Sequence, residues 1–139
     1  MNNNFYTFSE YLKNDNKVLT PSMEDYVEMI YRMSIENQNN GIRVSDLSSA
    51  LNVKPPSTTK MIKRLYELDI CKYKKHEAIV LTKNGVNLGE YLLDRHNIVN
   101  FFLEKLGVEK TLFEQTEKIE HVINSETLEC IKMYLQNNI

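Results

Sequence analysis

Val44-Ser-Asp-Leu-Ser-Ser-Ala-Leu51, Asn52-Val-Lys54 and Pro55-Pro-Ser-Thr-Thr-Lys-Met-Ile-Lys-Arg-Leu-Tyr-Glu-Leu68 decide the fold. Leu47, Ala50 and Leu51 recur at helical spacing, which predicts a short helix from Val44 to Leu51 with Ser45 as its cap. Asn52, Val53 and Lys54 form the turn. Pro55, Pro56 and Ser57 open the next helix, where the missing proline N–H costs nothing. Met61, Ile62, Leu65 and Leu68 are its expected buried edge. Ile70 to Tyr73 and Ala78 to Leu81 then read as two short strands around a polar tip, Lys74 to Glu77. Helix, turn, helix and hairpin in that order make a winged helix-turn-helix.

Upstream, Thr20-Pro21-Ser22 is a helix start, and Met23, Tyr26, Val27, Ile30 and Tyr31 follow as an amphipathic stripe ended at Asn37–Gly41. Residues 1–19 carry Phe5, Tyr6, Phe8 and Tyr11 without a clear period and are expected to be an arm. Downstream, Lys83 to Leu106 reads as a long helix, strongly apolar in its second half and ended by Gly107. Helices from Leu112 to Ile123 and from Ser125 to Leu135 complete the chain. The expected class is mainly α: an arm (1–19), a winged-helix DNA-binding domain (20–82) and an all-α metal-binding and dimerisation domain (83–139). The long helix has more apolar surface than one small protomer can cover, so a homodimer through the helical domain is expected.

At 139 residues, 42% hydrophobic and 26% charged, the composition is that of an ordinary globular protein. No apolar stretch is long enough to span a bilayer, and Met1-Asn-Asn-Asn-Phe5 lacks the pattern of a secretory signal, so the expected location is cytoplasmic, with no membrane partner. Cys71 and Cys130 are far apart and form no CxxC pair, which favours reduced thiols over a disulfide or a zinc knuckle. The net charge of −2 hides an asymmetry. Lys54, Lys60, Lys63, Arg64, Lys72, Lys74 and Lys75 are opposed only by Glu67 and Asp69, whereas Glu104 to Glu129 is rich in glutamate. A basic middle with an acidic end suits a DNA-reading head joined to a body with another task.

The second helix of a helix-turn-helix offers its N-terminal residues to base edges. Here those are Ser57, Thr58, Thr59 and Lys60, with Lys54, Lys63 and Arg64 placed for phosphates. The plainer reading is a small helical core with a solvated basic face; the hairpin and the local basic excess favour DNA.

Glu117, Glu120 and His121 stand at i, i+3, i+4, which would set two carboxylates and an imidazole on adjoining turns of one helix. His96 lies mid-helix in an apolar segment, and Asp25 and Glu28 add two oxygens at i, i+3. This oxygen-rich, thiolate-free set suits a hard or borderline divalent cation. Each residue also has an ordinary structural explanation. Asp25 complements a helix N-terminus, Glu28, Glu117 and Glu120 serve as surface charges, and His96 is a satisfied core histidine. Gathered together, four carboxylates would repel without metal, and two divalent ions would neutralise them. Such a site draws the first helix to the C-terminal body only when metal is present.

Thr20-Pro-Ser-Met-Glu-Asp-Tyr-Val-Glu28, Arg43-Val-Ser-Asp-Leu47, Val53-Lys-Pro-Pro-Ser-Thr-Thr-Lys-Met61, Val80-Leu-Thr-Lys-Asn-Gly85, Asp94-Arg-His96 and Ile119-Glu-His121 resemble the diphtheria toxin repressor family, in its manganese transport regulator branch. The likeness runs from Thr20 to Leu135. It implies a homodimer of winged-helix heads that binds double-stranded operator DNA when metal-loaded. It also implies a binuclear Mn(II) site, two ions per protomer, on Asp25, Glu28, His96, Glu117, Glu120 and His121, with Fe(II), Co(II) or Zn(II) as substitutes. The iron-responsive branch carries a methionine and a cysteine at the positions matching Asp25 and Glu117, and both are carboxylates here. Three departures stand out: the arm before Thr20 is long, the wing tip is His76-Glu77-Ala78, and Pro56 replaces the usual serine. The expected function is therefore a Mn(II)-activated repressor of metal-uptake genes, without catalytic residues or a small-molecule substrate. The alternatives are a repressor responding to iron or another metal, a metal-independent winged-helix regulator and a di-metal enzyme. No nucleophile, phosphate loop or substrate motif accompanies the ligands, which counts against the enzyme.

Overall fold

The computed structural model describes residues 19–38, 40–74 and 78–138; residues 1–18 of the expected arm and the wing-tip residues Lys75, His76 and Glu77 lie outside them. Among the described residues are six helices and one two-stranded sheet: α1 (Pro21–Glu36), α2 (Val44–Leu51), α3 (Pro55–Glu67), β1 (Cys71–Lys74), β2 (Ala78–Leu81), α4 (Lys83–Lys105), α5 (Leu112–Ile119) and α6 (Ser125–Asn137). The backbone falls into two compact units, the first ending at Tyr91 and the second beginning at Leu92, so that α4 belongs to both.

In the first unit, α1 starts where the Thr20 hydroxyl accepts the Met23 N–H at 3.2 Å, with proline in the first turn. Its stripe of Met23, Tyr26, Val27 and Ile30 is buried, as expected of that spacing. Ile42 then bridges to Ile79 by two backbone hydrogen bonds, of 2.8 and 2.7 Å. Helix α2 begins after Arg43, which offers no side-chain cap, so Ser45 lies inside the helix and does not cap it. Ala50, expected to face inward, is exposed, and Leu47 and Ser48 make the buried contacts. Asn52 turns the chain with φ 56°, a left-handed conformation that asparagine tolerates better than most residues. Helix α3 buries Thr58, Ile62 and Leu65, and the wing pairs Cys71 with Leu81 through Lys74 with Ala78 in antiparallel register.

Thr82 ties the wing to α4. Its hydroxyl donates to the Asp69 carbonyl at 2.6 Å and accepts the Gly85 N–H at 3.1 Å. Gly89 lets α4 cross α1 closely, because a Cβ there would lie 2.6 Å from the Tyr31 Cβ. In the second unit α4 turns Leu92, Arg95, Val99 and Leu103 inward, on one helical face. Gly107, at φ +97°, ends that helix region as the sequence predicts. Asn124 caps α6 by accepting the Thr127 N–H at 2.8 Å, and Tyr134 of α6 meets Phe102 edge to face at 6.5 Å.

Candidate metal centre and nucleic-acid interface

Two rungs one turn apart join α4 to the region of α5. Thr116 donates its hydroxyl to Asn100 Oδ1 at 3.2 Å. One turn before Asn100 stands His96, and one turn after Thr116 stands Glu120, with His96 Nδ1 2.6 Å from Glu120 Oε2. The antiparallel pairing of two i, i+4 steps makes the second contact a consequence of the first. Glu117 Oε1 is 3.5 Å from the same His96 nitrogen, and His121 Nε2 is 3.8 Å from Glu120 Oε1.

The helix carrying this motif is shorter than the spacing predicts. It ends at Ile119, so Glu120 is its C-cap and His121 lies in the following turn. The three side chains still converge: ligand atoms of Glu117, Glu120 and His121 lie within 4.8 Å of one another. Glu120 is only 1% exposed. A carboxylate buried that far from water is costly unless it meets donors or a cation. Carboxylate oxygens and imidazole nitrogens are also what a divalent ion of hard or borderline character requires. The residues present fit such an ion. Arg95, buried beside them with Nη2 3.4 Å from His121 Nδ1, belongs to the Asp94-Arg-His96 motif, to which the sequence assigns no role for the arginine. Its position one residue before a candidate ligand histidine was the only available signal.

Asp25 and Glu28 lie one turn apart on α1 of the first unit, both half-buried, and Glu28 pairs with Arg32 at 2.7 Å. Glu28 is therefore not the fully solvated surface charge of its ordinary explanation.

On the reading helix, Lys54, Ser57, Thr59, Lys60, Lys63 and Arg64 are all exposed. Thr58 is not. It is fully buried, its hydroxyl 2.8 Å from Ser48 Oγ, where it fastens α3 to α2 and cannot reach a base. Thr58 is therefore removed from the expected DNA contacts. Tyr66 on α3 and Tyr73 on the wing are exposed aromatics beside the basic residues, and neither was singled out from the sequence. In the second unit the exposed apolar side chains include Phe101, Leu106, Phe113 and Val122, of which Phe113 and Val122 are 75% and 81% exposed. The sequence points to the apolar second half of α4, which includes Phe101, and gives no sign of Phe113 or Val122. No helix among the described residues is long and apolar enough to cross a membrane.

Two family profiles match the chain: the iron-dependent repressor N-terminal DNA-binding domain over residues 18–79, and the iron-dependent repressor metal-binding and dimerisation domain over residues 82–138. The chain is 40% identical over 123 residues to the helix-turn-helix-type transcriptional regulator MntR of Shouchella clausii, covering 86% of this chain and 85% of that protein. It is 37% identical over 120 residues to an uncharacterised helix-turn-helix-type transcriptional regulator of Methanocaldococcus jannaschii, covering 85% and 95% of the two chains. Among solved structures it is similar to the manganese regulator SloR, with a TM-score of 0.71, 26% identity and 84% of this chain covered. The chain spans about half the length of that structure, 54%.

Proposed function

This chain belongs to the iron-dependent (diphtheria toxin) repressor family of metal-dependent transcriptional regulators, and we propose that it represses metal-uptake genes when loaded with Mn(II). The observation that carries this reading is the buried Glu120 carboxylate with His96, Glu117 and His121 around it, an oxygen and nitrogen donor set with no sulfur. The likeness to MntR and to a manganese regulator supports the same metal. In this reading Asp25 and Glu28 complete a binuclear site with His96, Glu117, Glu120 and His121. Bound metal ions would neutralise the acids and favour the DNA-competent conformation by their differential affinity for it.

The operator contacts are Ser57 and Thr59 for bases, and Lys54, Lys60, Lys63 and Arg64 for phosphates. The functional division is 20–82 for DNA and 83–139 for metal and dimerisation, and the protein works in the cytoplasm as a homodimer. Its exposed Phe101, Leu106, Phe113 and Val122 support that assembly, since apolar side chains in such numbers suit a covered surface. The metal serves regulation, not catalysis.

Oxygen donors suit Mn(II), although the Irving–Williams order ranks Zn(II) above it in affinity. Selectivity then lies in coordination number, because Zn(II) favours four ligands in a tetrahedron. Titration of the chain's own upstream DNA with protein tests the proposal. Mn(II) is expected to promote binding fully, chelator to abolish it, and Zn(II) to bind tightly but activate poorly. Equal binding with Mn(II) and with chelator would establish a metal-independent regulator instead.

A further inference from the structure

One contact in the second unit competes with metal ligation by His121. Arg95 is 4% exposed, and its Nη2 lies 3.4 Å from His121 Nδ1. A guanidinium only donates hydrogen bonds, so Nδ1 is the acceptor and the proton of a neutral ring sits on Nε2. A neutral imidazole has one lone pair, and Arg95 occupies it. Giving Nδ1 to a metal ion means releasing the guanidinium. Giving Nε2 means moving the ring proton to Nδ1, where it meets another donor. Either route costs the contact. His96 differs, because its Nδ1 faces the Glu120 carboxylate, an acceptor, and that contact uses no lone pair of the ring.

We propose that Arg95 competes with the metal ion for the lone pair of His121 and thereby sets how much Mn(II) the protein needs. The inference rests on the reading of His121 as a ligand. A residue that merely supported the fold or oriented His121 for binding would weaken the site when removed. A competitor strengthens it.

Two measurements decide the matter. Mn(II) affinity of the full chain, read from the electron paramagnetic resonance of the free ion, should be tighter in Arg95→Met by roughly three- to tenfold, the size of one long hydrogen bond. In the metal-free wild-type protein, ring-nitrogen resonances should show His121 protonated at Nε2 and bare at Nδ1. A proton on Nδ1 would overturn the proposal without any variant. Equal or weaker Mn(II) binding by a folded Arg95→Met would overturn it and leave the metal assignment standing. Absence of Mn(II) binding by the wild type would overturn both.

Discussion

Cys71 and Cys130 carry the same thiol into opposite surroundings. Cys71 is buried on β1, where its Sγ donates to the Ile62 carbonyl at 3.7 Å and burial pushes its pKa up from 9.0 to about 11. Cys130 is exposed on α6. The thiolate is the reactive form. An aromatic disulfide reagent at pH 8 should therefore label Cys130 rapidly and Cys71 only after unfolding; two fast thiols in the native protein would contradict the burial. The same shift makes stability depend on pH. The folded state holds the neutral thiol more strongly than the unfolded chain does, so this contribution is intact below about pH 9 and declines as the pH rises toward about 11. Thr58 and Thr59 show how far single residues were legible. Both stand at the start of a basic helix, and composition cannot separate them. The rotation of α3 against α2 decides, turning Thr58 onto Ser48 and Thr59 to solvent. That rotation follows from packing between helices, which no one residue states.

Elements were more legible than residues, because apolar periodicity and caps act locally. Thr20, Pro55 and Gly107 mark ends where the sequence puts them, and Met23, Tyr26, Val27 and Ile30 give α1 its buried face. The end of α5 was misread for a physical reason. Ile119, Val122 and Ile123 continue the apolar spacing through a turn that contains neither glycine nor proline, so nothing in the sequence stops the helix at Ile119. The close approach of α1 and α4 was hidden as well, since a glycine within a helical pattern only lowers helix propensity. The structure gives Gly89 a packing role. Gly89→Ala places a methyl group against Tyr31 and should cost roughly 1–3 kcal/mol by overpacking, despite alanine's better helix propensity. Urea unfolding measures this, and a variant as stable as the parent would show that the two helices separate without cost.

At the scale of the whole molecule, the second unit carries exposed apolar side chains that one protomer leaves uncovered, Phe113 and Val122 above all. If they lie in the dimer interface, Phe113→Glu buries a charge without a partner and should weaken dimerisation by roughly several kcal/mol. Because Phe113 is 75% exposed in the protomer, the change should leave the fold intact. Sedimentation should then report a monomer with unchanged circular dichroism, whereas an undiminished dimer would take Phe113 out of the interface. The most direct test of the central claim is the Mn(II) response of DNA binding in Glu120→Ala, compared with the parent at one salt concentration. Glu120 is the most buried of the candidate ligands and touches both histidines, so its loss should remove the response to Mn(II) while the dimer and weak metal-independent DNA binding persist. A Glu120→Ala protein that responds to Mn(II) as the parent does would contradict metal control through this site.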